Sequence, residues 1–80
     1  MRLELFTTSN CGACPFVKTM LEDRGLEYEE KVTDKDAQAL EDFQSYGNFM
    51  GVPVLVVNEG EEIIHGVNPQ AFDKLKDKKF

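Results

Sequence analysis

Cys11 and Cys14 are the only two cysteines of the chain, and the small residues Gly12 and Ala13 separate them. A pair at this spacing can close and reopen a disulfide ring, the chemistry of a dithiol carrier. The thiolate is the attacking species, and a helix N-terminus stabilises it through unpaired N–H groups and the macrodipole. The pair follows a strand-like opening and precedes a helix-like run, so position supplies a nucleophile and its activation together.

Pro15 assigns different jobs to the two sulfurs. With Cys11 as N-cap, Pro15 would fall where an N–H should bond the Cys11 carbonyl, and proline has none. Starting the helix at Gly12 moves Pro15 into the first turn, where that N–H is not needed. Cys11 then stands just outside the helix end, exposed, as the attacking thiol. Cys14 lies inside the first turn, more buried, as the resolving one.

Three readings of the pair are open. A zinc site needs three or four ligands, and His65 is the only histidine in the sequence, so a metal would have to be shared between chains. A purely structural disulfide closing so short a loop constrains the unfolded chain little. Reversible redox exchange is the leading reading. Lys18, about two turns along the helix, reads as a solvent-facing lysine too distant to pair with Cys11.

The elements that must position the pair are readable in outline. Residues 2–7 form a short strand, with Leu3 and Leu5 on one face. From Ala13 to Arg24, Phe16, Val17, Met20 and Leu21 recur at helical spacing, and Gly25 is a plausible left-handed cap. Leu26, Tyr28 and Val32 alternate with charged residues as a second strand. Thr33 or Asp34 can cap a second helix whose buried stripe is Ala37, Leu40 and Phe43, ending at Gly47. Residues 53–57 read as an apolar strand buried on both faces, and residues 58–61 as a hairpin turn into a strand over 62–65. Asn68 caps a last helix with Pro69 at its first position and Ala71, Phe72 and Leu75 inward. The order predicts a single α/β domain over residues 1–80, one sheet with helices on its faces.

Composition excludes several partners. The 80 residues carry a formal net charge of −6, which opposes phosphate binding and therefore nucleic acid. Lys74, Lys76, Lys78 and Lys79 read as a dipole-matched helix end. No stretch approaches the roughly 20 apolar residues of a membrane span. The amino-terminal MRLELFTTSN is too polar for a secretion signal. A cytoplasmic monomer is expected, and in that compartment a CxxC is redox-active or metal-binding rather than structural.

Three matched segments in order resemble the glutaredoxin branch of the thioredoxin superfamily over almost the whole chain. They are Cys11-Gly12-Ala13-Cys14 between the first strand and helix, Gly51-Val52-Pro53-Val54 opening the third strand, and Gly66-Val67-Asn68-Pro69 before the last helix. The resemblance implies a thioredoxin fold of order βαβαββα, a four-stranded mixed sheet with three flanking helices. It also implies a thiol–disulfide oxidoreductase without a prosthetic group, acting on a disulfide-containing protein. The Val52–Pro53 bond should be cis and close to the cysteines, leaving the Val52 backbone open to an extended substrate segment. Thr8, Gly12, Ala13, Gly66 and Val67 join Val52 and Pro53 as expected substrate contacts, with Cys11 and Cys14 as the catalytic pair.

Departures from that family choose the branch. Gly12-Ala13 stands where typical glutaredoxins carry Pro-Tyr, and Gly66-Val67-Asn68 replaces a diglycine turn with an acidic residue that serves glutathione. The last turn is closer to the small glutaredoxin-like redoxins that serve ribonucleotide reductase and take electrons from a thioredoxin reductase. A glutathione-dependent glutaredoxin is the first alternative. A thioredoxin-fold module holding zinc or an iron–sulfur cluster on its CxxC is the second. Tyr46, Phe49 and Met50 could line the partner groove or close the core edge, and His65 reads as a surface or packing residue.

Overall fold

Strands β1 (Leu3–Thr7) and β3 (Val54–Val57) form the centre of a four-stranded sheet in the order β2-β1-β3-β4. Strand β2 (Glu29–Val32) runs parallel to β1 on one edge, and β4 (Glu62–His65) pairs antiparallel with β3 on the other. The computed structural model describes residues 2–47 and 51–78, so Phe49, Met50 and Lys79 lie outside the described residues. Helix α1 (Cys14–Asp23) connects β1 to β2, α2 (Ala37–Tyr46) connects β2 to β3, and α3 (Pro69–Lys78) follows β4. The parallel β1–α1–β2 unit needs a crossover helix, whereas β3 and β4 need only a tight turn. That turn is a short 3-10 segment over Asn58–Gly60, with Asn58 and Glu59 at φ 50 and 61. Asn58 steadies it by exchanging hydrogen bonds with the Arg2 backbone at 2.8 and 2.9 Å.

Both faces of the sheet are covered, which explains why every residue of β1 and β3 is buried. Leu3, Leu5, Leu55 and Val57 pack on one face with Val17 and Leu21 of α1 and Phe72 and Leu75 of α3. Phe6, Val54 and Val56 face the other way, where Phe43 and Tyr46 of α2 meet them. The Phe6 ring lies 5.2 Å from that of Phe43 and 6.0 Å from that of Tyr46, centroid to centroid.

Helix ends agree with their caps, with two corrections. Gly25 takes φ 68 after α1, and Asn68 Oδ1 accepts the Ala71 N–H at 3.2 Å with Pro69 opening α3. Helix α1 begins one residue later than expected: its N-cap is Ala13 rather than Gly12, and Pro15 still falls in the first turn. Phe16 points outward at 64% exposure instead of joining the α1 stripe. Helix α2 is capped by Asp36, whose carboxylate accepts from Gln38 N at 3.0 Å and Ala39 N at 3.4 Å. Thr33 and Asp34 have other engagements, described below. Ala39 is its buried residue, with Phe43 and Tyr46 half-buried at helical spacing from it, and Ala37 and Leu40 are exposed. Asp36→Ala should cost about 1 kcal/mol, the usual worth of such a cap. In a thermal melt of a domain this size that is a drop of about 4–8 °C.

Candidate active site

One end of the sheet gathers the expected functional segments. Phe6 pairs with Val54 and Thr7 with Val32, while Val54 also pairs with His65. The loop from Thr8 to Cys11, the Val52–Pro53 segment, the β2–α2 loop and the Gly66–Val67 turn therefore all leave the sheet at the same end.

Cys11 and Cys14 form a disulfide with their Cα atoms 5.5 Å apart. Cys14 is buried in the first turn of α1, and Cys11 is half-buried outside it. The start of α1 has no side-chain cap and no acidic residue in its first turn. Instead, the Cys14 N–H donates to Cys11 Sγ at 3.1 Å. The sulfur thus takes the first of the N–H groups that the helix leaves unpaired, and a donor there favours the thiolate over the thiol. A Cβ added at Gly12 would meet nothing within 4 Å, so the approach over the ring is open.

A cleft of about 280 Å³ runs from Thr8, Cys11 and Cys14 to Lys18, Glu30 and Lys35. Lys18 is not the free surface lysine the sequence suggests. Its Nζ lies 2.7 Å from Glu30 Oε2, and the same oxygen accepts the Thr7 hydroxyl at 3.1 Å. Its spacing of four residues from Cys14 is the one signal that would have placed it beside the pair.

The Val52–Pro53 peptide bond is cis. Pro53 is buried, and its carbonyl accepts the Gly66 N–H at 2.8 Å, which ties the β4–α3 turn to the cis proline. Gly66 takes φ 67 there, a left-handed conformation suited to glycine. Val52 is half-buried, and no backbone hydrogen bond to it occurs among the described residues. Val67 is 45% exposed. Thr8 accepts the Cys11 N–H on its carbonyl at 3.3 Å. Of the expected contacts, only Thr8 shares the cleft lining with the two cysteines; Gly12, Ala13, Val52, Pro53, Gly66 and Val67 lie outside it.

Ser9 and Asp34 form a contact that sequence reasoning missed. The Ser9 N–H donates to Asp34 Oδ1 at 3.0 Å, and the Ser9 hydroxyl donates to Oδ2. These bonds, the hydroxyl's foremost, hold the Asp34 carboxyl below its ordinary range. Nothing in the spacing of two residues 25 apart announces the pair. Among the described residues, no third His, Cys, Asp or Glu joins the cysteines in a group able to hold a metal ion. No helix among them is long and apolar enough to cross a membrane.

Comparison with known proteins agrees with this geometry. The glutaredoxin family model matches residues 3–63. The Gene 56 protein of Mycobacterium phage D29 is 31% identical over 75 residues, spanning 94% of this chain and 82% of that protein. The NrdH-redoxin of Escherichia coli, described as a glutaredoxin-like protein with a thioredoxin-like activity profile, superposes with a TM-score of 0.77. It is 28% identical, with 94% of this chain and 95% of that one covered. The thioredoxin-like protein BC3987 superposes at 0.79 with 27% identity, covering 92% and 99%. The chain belongs to the glutaredoxin family, as a thiol–disulfide oxidoreductase of thioredoxin fold with a CxxC pair at disulfide distance.

Proposed function

We propose that Cys11 attacks a disulfide of a partner protein and that Cys14 resolves the adduct, with ribonucleotide reductase as the acceptor. The observation that carries this reading is the asymmetry of the pair: Cys11 Sγ rests on the Cys14 N–H while Cys14 is only 3% exposed. The Cys11 thiolate forms a mixed disulfide with one partner sulfur and expels the other as a thiolate. Cys14, losing its proton to solvent, then attacks Cys11 Sγ, closes the ring and releases the partner sulfur that Cys11 had bound, as a second thiolate. Two electrons pass to the partner, and the CxxC ends oxidised. Val52 and Pro53 serve as the backbone clamp for an extended partner segment, which adds to the chain by strand-like pairing. Thr8, Gly12, Ala13, Gly66 and Val67 form the surface around it.

Two facts support a thioredoxin reductase over glutathione as the electron source. The Gly66-Val67-Asn68-Pro69 turn lacks the diglycine and acid that typical glutaredoxins use for glutathione. The likeness to NrdH-redoxin is to a protein with a thioredoxin-like activity profile.

The test offers oxidised protein two electron sources separately. NADPH with thioredoxin reductase should sustain reduction of an oxidised ribonucleotide reductase, and glutathione with glutathione reductase should not. Turnover with the glutathione system alone would overturn the choice of electron source. Failure to reduce that enzyme while reducing insulin disulfides would overturn the acceptor.

A further inference from the structure

The loop that delivers Cys11 is held from the side by the β2–α2 loop. Thr33 donates both its N–H and its hydroxyl to the Thr7 carbonyl, at 2.8 and 3.0 Å. Asp34 takes both Ser9 donors, and Cys11 closes the turn by donating its N–H to the Thr8 carbonyl. Residues 33–34 therefore grip residues 7–9, and two residues later Cys11 Sγ meets the Cys14 N–H. Ser9 and Asn10 are exposed, with no core packing to fix their course.

Placing an acid near a thiolate has a cost, because a like charge disfavours ionisation. The charged groups that line the cleft give little relief. Lys18 and Glu30 neutralise each other at 2.7 Å, leaving Lys35 beside Asp34. An aspartate at this position makes chemical sense if what it contributes is geometry.

We infer that Asp34 is a positioning residue for the attacking thiol: through its two bonds to Ser9 it holds Cys11 Sγ against the Cys14 N–H. The inference rests on Cys11 being that thiol. Without the grip, the turn relaxes and the sulfur leaves the helix end. The two effects of removing Asp34 have opposite signs. Loss of its charge lowers the Cys11 pKa, whereas loss of position raises it.

The experiment is a pH profile of iodoacetamide alkylation on the reduced full chain, with mass spectrometry locating the Cys11 adduct. Asp34→Ala and Ser9→Ala should each raise the Cys11 pKa by at least about half a unit, an about threefold fall in thiolate fraction below it. Asp34→Asn keeps an oxygen for the Ser9 N–H and should stay near wild type or below it. An unchanged or lowered pKa in both alanine variants overturns the inference, as does a rise in Asp34→Asn equal to that in Asp34→Ala. Thermal melts run in parallel, and a loss of stability with an unmoved pKa reduces the contact to a structural tie. A Cys11→Ser chain separates the two levels: if it still turns over, the reading of Cys11 itself has failed rather than that of Asp34.

Discussion

Cys14→Ser should convert the protein from a turnover catalyst into a trap that stays covalently attached to its partner. Cys11 remains able to attack, so the first mixed disulfide forms, but the resolving thiol is gone. External thiol must then do the work of an adjacent one. Even a modest effective concentration of about 1 M, far below the limit of about 10⁵ M or more for well-oriented intramolecular reactions, exceeds about 1 mM external thiol a thousandfold. Turnover should therefore fall by roughly that factor. A thiol-sensitive adduct of summed mass should accumulate on a non-reducing gel. Cys11→Ser should lose turnover equally and form no adduct. Adduct formation by the Cys11 variant but not by the Cys14 variant would reverse the assignment. Because Cys14 is buried, the serine hydroxyl needs a partner, and a circular-dichroism melt of the reduced variant checks that the fold persists.

The largest stability effect is expected at Lys31. Glu4 is 1% exposed in β1, and its carboxylate meets Lys31 Nζ at 2.7 Å and the Tyr46 hydroxyl at 2.8 Å. Lys31 in turn reaches Asp42 of α2 at 2.9 Å and lies 5.8 Å from the Phe6 ring centroid. Burial pushes the Glu4 carboxyl up, but the Lys31 and Tyr46 bonds and the charges of Lys31 and Arg2 together outweigh it and hold the group below its ordinary 4.5. Lys31 is raised above its usual range, by its bond to Glu4 first and that to Asp42 after burial's opposing pull.

Lys31→Met strands a buried carboxylate. Removing one partner of a buried pair costs about 3–5 kcal/mol. Tyr46 remains and Glu4 can take up a proton, so about 2–3 kcal/mol is expected here. A chain of this length has only about 4–12 kcal/mol in all. The melt should fall by about 10–20 °C. Adding Glu4→Leu should recover most of it, since an apolar replacement of the whole pair is often neutral. The pH dependence has a definite sign. A depressed carboxyl contributes stability above about pH 4.5 that is lost as pH falls through its lowered folded value. In Lys31→Met burial instead raises Glu4, so protonation relieves the strain, and the gap between variant and wild type should narrow in acid. A gap that widens in acid would refute this account.

Much of this was legible along the chain because it is local. The dithiol, Gly25, the residue 58–61 turn and the Asn68–Pro69 start are each specified by neighbours within a turn. What was hidden is long-range pairing. Leu3-Glu4-Leu5 reads as alternation with Glu4 in water, and only Lys31 on β2 and Tyr46 on α2 make its burial tolerable. The same cause displaced the α2 cap. Thr33 and Asp34 have the right chemistry to cap, but Thr7 and Ser9 claim them, and Asp36 takes the role. Leu40 came out exposed because the face of α2 toward the sheet runs through Ala39, Phe43 and Tyr46.

The bare beginning of α1 has a bearing on engineering. A designer seeking a more stable protein would place serine or aspartate at Ala13, expecting about 1 kcal/mol from a proper cap. That oxygen could take only the Phe16 N–H, since Pro15 has none, and an aspartate there would add a like charge near the Cys11 thiolate at the cost of its reactivity. The chain forgoes local stability at one helix end, and any consensus or thermostabilising campaign should leave that position untouched.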